Sequence, residues 1–371
     1  MNLKDNLEIM HDLFSKDLIN CSESELLYKP PKYKLQAPQE KIEGMLLGIA
    51  IGDSLGNASE SISPHKRHKR YGWITNYLPN NRASYKRIGL PSDDTQLSFD
   101  TLSVILEDGG LNIEHLARIF SSHRIYGIGK SVRAFLHNYK DLHMPWFKSG
   151  TKSSGNGALM RISPIVVPYL NKERIDGIFA DAVLDTMLTH NDALAIGSSV
   201  AFTDLILKLI SQDKIDRISL LKGFTGILRE VIGNEEYKSR HKLQKPFDEF
   251  GNHPHEFIEK TVLYALENHM ATENLSIAIG SGAYLLETLP ISLYIILKYL
   301  DNPIEGILNA INNTKDNDTI GAIVSTAFGA FYGIKVFKSE WIVGLSGRIN
   351  ENDDGAVFEL IKKATELNTK K

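Results

Sequence analysis

From Lys41 onward the apolar residues recur at the spacing of one helix face, and this periodicity limits what the chain can become more than any other feature. In Asn191–Leu209 the residues Leu194, Ala195, Ser198, Ala201, Phe202, Leu205, Ile206 and Leu209 follow an i, i+3, i+4, i+7 stripe. Ile175–Leu188, Ile215–Ile232, Glu256–Leu266, Leu275–Leu300, Pro303–Ile311, Thr319–Phe337 and Gly355–Leu367 behave alike. Alternating β-branched runs are scarce, and Val166–Pro168 and Trp341–Val343 are too short to compete. The pattern predicts an all-α protein in which Asn234–His253 is a charged insertion or long loop. The segment from Gly321 to Gly333 also carries Ala322, Ser325, Ala327, Gly329 and Ala330. A glycine inside a helix costs about 1 kcal/mol relative to alanine. Close packing must offset that cost, so this helix belongs near the centre.

Composition closes off several classes. The 371 residues include 42 Lys+Arg against 45 Asp+Glu, a formal net charge of −3, and 42 % are apolar. This is a globular balance without the basic surplus of a dedicated nucleic-acid binder. A single cysteine, Cys21, excludes a disulfide framework within the chain and a cysteine-ligated metal cluster. No uninterrupted apolar run reaches the roughly 18–20 residues that cross a bilayer. The polar, acidic start (Asn2, Asp5, Glu8) is not that of a signal peptide. The expectation is a cytoplasmic protein without a membrane or nucleic-acid partner.

Residues 1–40 form a unit apart from residues 41–371. Leu3, Leu7, Met10, Leu13 and Phe14 fall at helical spacing, and Pro30, Pro31 and Pro38 then favour an extended strap. Such an arm either packs on its own domain or engages another protein.

Two acidic clusters stand at helix starts. Pro91-Ser92-Asp93-Asp94-Thr95 precedes an apolar helix, and Asp316-Asn317-Asp318-Thr319 precedes the small-residue helix. Capping of free N–H groups explains either cluster alone. Together they offer more carboxylates than two caps use, with hydroxyls beside them. That is a hard-oxygen set suited to Mg²⁺, Mn²⁺ or Ca²⁺ if the clusters converge. Upstream, Gly44, Gly48, Gly52 and Gly56 repeat at every fourth position, a spacing that lets a helix backbone approach a neighbour closely, and the run ends at Glu60. Glu60 is either a solvated acid or an acid or base at the mouth of a site. The Ser153-Ser154-Gly155-Asn156-Gly157 stretch is an ordinary loop or one that turns N–H groups toward an anion such as a diphosphate. Gly127-Ile128-Gly129 is a weaker signal of the same kind. His190 is a helix cap or a phosphate or ribose contact. The run His65-Lys66-Arg67-His68-Lys69-Arg70, with Lys86 and Arg87, is a solvated loop or a contact for pyrophosphate or for an acidic protein surface.

Taken in order, these segments resemble the ADP-ribosylglycohydrolase family, typified by dinitrogenase-reductase-activating glycohydrolase. The resemblance rests on Gly48–Gly56 with Glu60, Ser92–Thr95, Gly155–Pro164, Thr189-His190, Gly280–Gly282 with Glu287–Pro290, and Asp316–Thr319. It runs from about Lys41 to Gly333. It implies an orthogonal multi-helix bundle around a binuclear Mg²⁺ centre, with Mn²⁺ as a possible substitute, acting on ADP-ribosylated proteins. The implied metal ligands are Ser92, Asp93, Asp94, Asp316, Asp318 and Thr319, with Ser92 where the family usually has threonine. Glu60 would stand by the substrate ribose as the catalytic acid or base. ADP-ribose would lie over Gly127, Gly129, Ser153, Ser154, Gly155, Asn156, His190, Ser281 and Gly282, with Trp146 and Phe147 as candidate adenine platforms. Many arginine-directed members read Asp-Ile-Gly-Asn-Thr-Thr-Arg where this chain reads Gly127-Ile-Gly-Lys-Ser-Val-Arg133. That departure resembles members that cleave O-linked ADP-ribose, such as that on serine. A bacterial branch of the family comprises immunity proteins whose N-terminal extension plugs an ADP-ribosyltransferase toxin. Residues 1–40 look like such an extension, and this tilts the expected linkage toward arginine. The rival classes are a silent ADP-ribose or partner-binding module and a Mg²⁺-dependent phosphate-ester hydrolase.

Overall fold

The computed structural model describes residues 4–33, 36–172 and 175–369. Leu3, which the arm's helical spacing includes, lies outside them. The helices are α1 Lys4–Ser15, α2 Glu25–Tyr28, α3 Gln39–Gly56, α4 Pro64–Tyr71, α5 Asp93–Asp108, α6 Ile113–Phe120, α7 Lys130–Leu136, α8 Trp146–Ser149 and α9 Ile178–Met187. They continue with α10 Ala193–Ser211, α11 Arg217–Ile232, α12 Pro254–Glu267, α13 Thr272–Ile279, α14 Leu285–Lys298, α15 Pro303–Asn313, α16 Asn317–Tyr332, α17 Ser339–Gly344 and α18 Ala356–Thr369. A two-stranded antiparallel hairpin, β1 Pro79–Asn80 and β2 Lys86–Arg87, pairs Pro79 with Arg87 and Asn80 with Lys86. The chain is all-α, as its periodicity predicts.

The small-residue helix is central, and its partner is the glycine-spaced one. Helices α3 and α16 lie antiparallel with their backbones in contact. A Cβ on Gly44 would stand 2.5 Å from the Gly329 carbonyl oxygen, and one on Gly48 would stand 2.5 Å from that of Ser325. Gly52 meets Gly321 and Gly56 meets Asp318 in the same way. No real side chain tolerates such distances, so the glycines define the seam. Pairing in this sense brings the C-terminal end of α3 to the N-terminal end of α16. The site forms at that end.

Helix α10 is long and apolar enough to span a bilayer, at 19 residues and mean hydropathy 1.7, but 94 % of its apolar window is buried in the protein. It serves as a core helix. The stretch Leu275–Leu300 is two helices rather than one. Gly280, at φ +86°, terminates α13, and the turn through Tyr284 precedes α14. Thr319–Phe337 likewise stops at Gly333, at φ +77°, before a short 3₁₀ turn. Asn234–His253 is a loop apart from the 3₁₀ turn Phe247–Glu249.

The basic run is helix α4, not a loop. Its central Arg67 is fully buried, and its guanidinium donates to Ser59 and to the carbonyl oxygens of Asn312, Thr314 and Lys315. It ties the segment before Glu60 to the segment before Asp316. The N-terminal arm packs on its own domain. Met10, Leu13 and Leu27 are buried, and Asn6 Nδ2 donates to Asp181 Oδ1 at 2.6 Å and to the Leu111 carbonyl at 2.9 Å. Asn20 donates twice to Asn191, from its backbone N to Oδ1 at 2.9 Å and from Nδ2 to the carbonyl oxygen at 3.0 Å.

Candidate metal centre and substrate cleft

Three helix ends meet around a cleft of about 340 Å³. They are the C-terminal end of α3 with Glu60 beyond it, the start of α5 with Asp93 and Asp94, and the start of α16 with Asp316, Asp318 and Thr319. The rest of the lining includes Gly127, Gly129, Ser153, Gly155, Asn156 and His190, of which Gly127 abuts Asp93 and Asn156 bonds to Asp316. The two acidic clusters of the sequence therefore converge.

The hydrogen bonds at these helix starts are not those of ordinary caps. Helices α6, α10 and α11 are capped by Asn112, Asp192 and Asp216, whose side chains accept N–H bonds from the first turn. Neither Ser92 at the start of α5 nor Asp316 at the start of α16 caps its own helix. Asp53, reaching across from α3, caps α5 instead. Its Oδ2 accepts from Ser92 N at 2.8 Å and from Thr95 N at 3.2 Å, and its carboxylate also receives both hydroxyls. That substitution releases Asp93 and Asp94 toward the cleft. Asp53 is the candidate site residue that the sequence motifs alone do not single out. It was detectable as the one charged position in the apolar run Ile49–Leu55, where a buried carboxylate demands partners.

The carboxylates form two overlapping sets. Oxygens of Asp53, Asp94 and Asp318 lie within 4.8 Å of one another, and so do oxygens of Glu60, Asp316 and Asp318. Asp318 belongs to both. Among the described residues, neither these five acids nor Asp93 pairs with a Lys, Arg or His side chain. The buried Asp94 Oδ1 has no hydrogen-bond partner at all. Burial pushes the carboxyls of Asp93, Asp94 and Asp318 well above the usual range, and neighbouring carboxylates push them further. Asp316 is raised to about 7 by burial, although Asn156 Nδ2 donates to its Oδ2 at 2.6 Å and pulls the other way. Burial of its carboxylate end also raises Glu60, which is otherwise exposed at the cleft mouth. Uncompensated buried carboxylates, an orphaned oxygen and a wholly oxygen donor set fit hard divalent cations.

His190 is held in one state at the edge of the cleft. His190 is buried beneath Gly155 and Gly157, where a Cβ would stand 3.4 Å from its Nε2 and 3.0 Å from its Cε1. Burial holds its pKa down to about 3, so the ring is neutral. Arg161 Nη2 donates to Thr189 Oγ1 at 2.9 Å, which leaves the Thr189 hydroxyl to donate to His190 Nδ1 at 2.8 Å. The tautomer this selects carries its proton on Nε2, facing the cleft. Arg161 itself is locked by the buried Asp185.

Four expected residues stand behind the lining rather than on it. Ser92 donates to Asp53 and keeps its lone pairs free. The Ser154 carbonyl accepts from Leu285 N at 3.0 Å. Ser281 Oγ accepts from Lys315 N at 2.9 Å and its carbonyl accepts from Asp316 N at 2.9 Å, so it shapes the turn that carries Asp316. Gly282 N donates to Glu287 Oε2 at 2.7 Å. Trp146 and Phe147 pack edge-on at 5.5 Å and line a separate groove with Ile9 and Leu13 of α1. Arg240, stacked over Tyr284 at 4.1 Å, borders the cleft instead. Gly127 has φ +89°, and a Cβ there would stand 2.8 Å from Asp93 Oδ1. A side chain at 127 would be strained on this backbone and would displace the Asp93 carboxylate.

The sequence profile of the ADP-ribosylglycohydrolase family matches residues 34–369. The chain belongs to the ADP-ribosylglycohydrolase family. As an ADP-ribosylglycohydrolase it is a hydrolase of the ADP-ribosyl class. Its relatives include ADP-ribosylhydrolase ARH3 of Xenopus tropicalis, 23 % identical over 86 % of this chain and 95 % of that protein. Another is ADP-ribosylarginine hydrolase Tri1 of Serratia proteamaculans, 24 % identical over 82 % of this chain and 74 % of that protein. Among solved structures, an ADP-ribosylglycohydrolase-related protein complex shares the fold at TM-score 0.62 and 20 % identity, over 89 % of this chain and 97 % of that one.

Proposed function

We propose that this ADP-ribosylglycohydrolase removes ADP-ribose from modified arginine side chains of proteins and depends on Mg²⁺. The carrying observation is the pair of oxygen sets that share Asp318, in a cleft also lined by Ser153, Gly155, Asn156 and His190. Asp53, Asp93, Asp94, Asp316, Asp318, Thr319 and Ser92 are the residues available to hold two divalent ions. Such ions, when bound, supply water activation and polarisation of the ribose hydroxyls. The Ser153–Asn156 loop and the Nε2 proton of His190 hold the diphosphate and so orient the anomeric carbon. Glu60 then takes the proton of the attacking water as the oxygen–carbon bond forms and the bond to the arginine nitrogen breaks. Its raised pKa brings the carboxylate nearer to neutrality, as a base of this kind requires.

Relatives named as ADP-ribosylarginine hydrolases support the arginine linkage. The second reading is an O-linked, serine-type substrate, favoured by Gly127, where a carboxylate would be strained and would crowd Asp93. Incubation with arginine-linked and serine-linked ADP-ribosyl peptides separates them. The expected result is free ADP-ribose from the arginine-linked peptide, abolished by EDTA and restored by Mg²⁺ or Mn²⁺. Release in excess EDTA would overturn the metal role. Release only from the serine-linked peptide would select the second reading, and binding without release would make the chain a silent module.

The arm's outer face, with Glu8 and His11 exposed, is the surface for an ADP-ribosyltransferase toxin in the immunity reading. Because the inner face is packed, point charges on the outer face test this better than deletion. Glu8→Lys with His11→Glu should abolish toxin binding and spare hydrolysis, and unchanged affinity rejects the idea.

A further inference from the structure

A second groove of about 550 Å³ meets the cleft across Glu60 and Gly127, which line both. If the diphosphate lies against Ser153–Asn156 and His190, the ribose reaches Glu60 and the leaving group exits on the far side. That side is this groove. Its walls are Arg70 and Tyr71 from α4, Arg82 and Tyr85 from the β1–β2 hairpin, and Tyr126.

The groove is cationic and aromatic. Arg82 lies over the Tyr126 ring at 4.6 Å, and Arg124 lies over it at 4.8 Å. Arg70 covers Tyr71 at 5.0 Å. Among the described residues, Arg70, Arg82 and Arg124 make no ion pair, nor do Lys86 and Arg87 on the same hairpin. The acids that face them are Asp53, whose charge acts on Arg82, Glu60 at the shared wall and Glu351, which accepts from the Tyr126 hydroxyl. The hairpin is held in an unusual shape to present its side chains. Ser84 and Tyr85 both have left-handed backbones, at φ +52° and +60°. Tyr85 N donates to the Asn80 carbonyl at 2.9 Å, and the ring is 76 % exposed. Backbone strain at a non-glycine residue that leaves an aromatic ring in water points to a contact made elsewhere.

We propose that this groove holds an acidic stretch of the target polypeptide beside the modified residue, with Arg70 and Arg82 pairing its carboxylates and Tyr85 packing on its backbone. This rests on the hydrolase reading, because only that reading places the leaving group here. It deepens it by assigning a class of protein substrate: those with Asp or Glu flanking the modified side chain. Arg82 also donates to the Pro91 carbonyl at 2.6 Å and so supports the loop before Ser92. Arg70 and Tyr85 have no such tie and are the positions to test.

The kinetic experiment compares a free ADP-ribosylated amino acid with ADP-ribosylated peptides whose flanks are acidic or neutral. KM should be lower for the acidic peptide than for the neutral one, and the gap should close as salt rises. Arg70→Glu and Tyr85→Ala should raise KM for the acidic peptide about three- to tenfold, the scale of one or two exposed contacts. They should leave kcat, and all constants for the free amino acid, unchanged. Equal KM values for both peptides, or an equal loss on the free amino acid, would overturn the proposal. Binding is read separately by anisotropy with a labelled, unmodified Glu-rich peptide. Salt-sensitive binding lost in Arg70→Glu supports the groove even if no substrate is hydrolysed, in which case the hydrolase reading fails alone. No binding, or preferential binding of an RNA oligomer, overturns the groove.

Discussion

A buried acid without a partner is costly when no cation meets it, and that sets the behaviour of single substitutions. Asp94 is buried, lacks a partner for Oδ1 and lies among Asp53 and Asp318. Asp94→Asn should lower turnover by at least about a hundredfold, the upper end of what second-shell changes alone cost at metal sites. In EDTA the same variant should melt higher than the parent, because one repelling charge is gone. A lower melting temperature would mean that the carboxylate serves packing. His190 behaves oppositely to a histidine switch. With its pKa held to about 3, it stays neutral across the working range, so KM should show no inflection near pH 6.5. Thr189→Val removes the hydroxyl that fixes the ring tautomer and should raise KM while leaving kcat close to the parent value.

At the scale of elements, the seam between α3 and α16 sets the spacing of the site. Gly48→Ala would drive a methyl group into the Ser325 carbonyl. Because the obstacle is backbone, the cost should reach or exceed the upper end of the roughly 1–3 kcal/mol typical of overpacking. Urea unfolding measures this, and kcat should fall with it as the helix ends spread. Much of this architecture was legible beforehand. The glycine period, the small-residue helix and both acidic clusters are local patterns that a sequence displays directly. The pairing of α3 with α16 was not, because nothing local says which helix fills a glycine groove. Asp53 went unassigned for a related reason, since it caps a helix 39 residues away. Arg67 was hidden among neighbours that really are exposed. Only its position one turn from the buried Pro64 separates it from them. Ser281 and Gly282 were legible as a turn, but not as a support behind Asp316 rather than a surface before it.

For the whole molecule, metal and pH should act together on stability. The cluster carboxylates are raised in the fold, Asp316 to about 7, above an unfolded value near 3.8. Between those values the folded state binds more protons than the unfolded one, so metal-free stability falls as pH rises. A divalent cation cancels the repulsion only where the acids are ionised. The gain in melting temperature from Mg²⁺ should therefore be larger at pH 8 than at pH 5, and a gain independent of pH would contradict the assignment. The arm contributes through a different contact. Asn6→Ala strips a donor from the buried Asp181 and should cost about 1–3 kcal/mol, the penalty for an orphaned polar group, with turnover unchanged.

Main chain resting on main chain leaves no rotamers to adjust along that seam. The opening between the two acid-bearing ends is thus a fixed gauge, sized by peptide units instead of by deformable hydrocarbon. Any adjustment to an ion's radius would then fall to the carboxylate side chains, because the backbones that carry Asp53 and Asp318 have no slack to close or part.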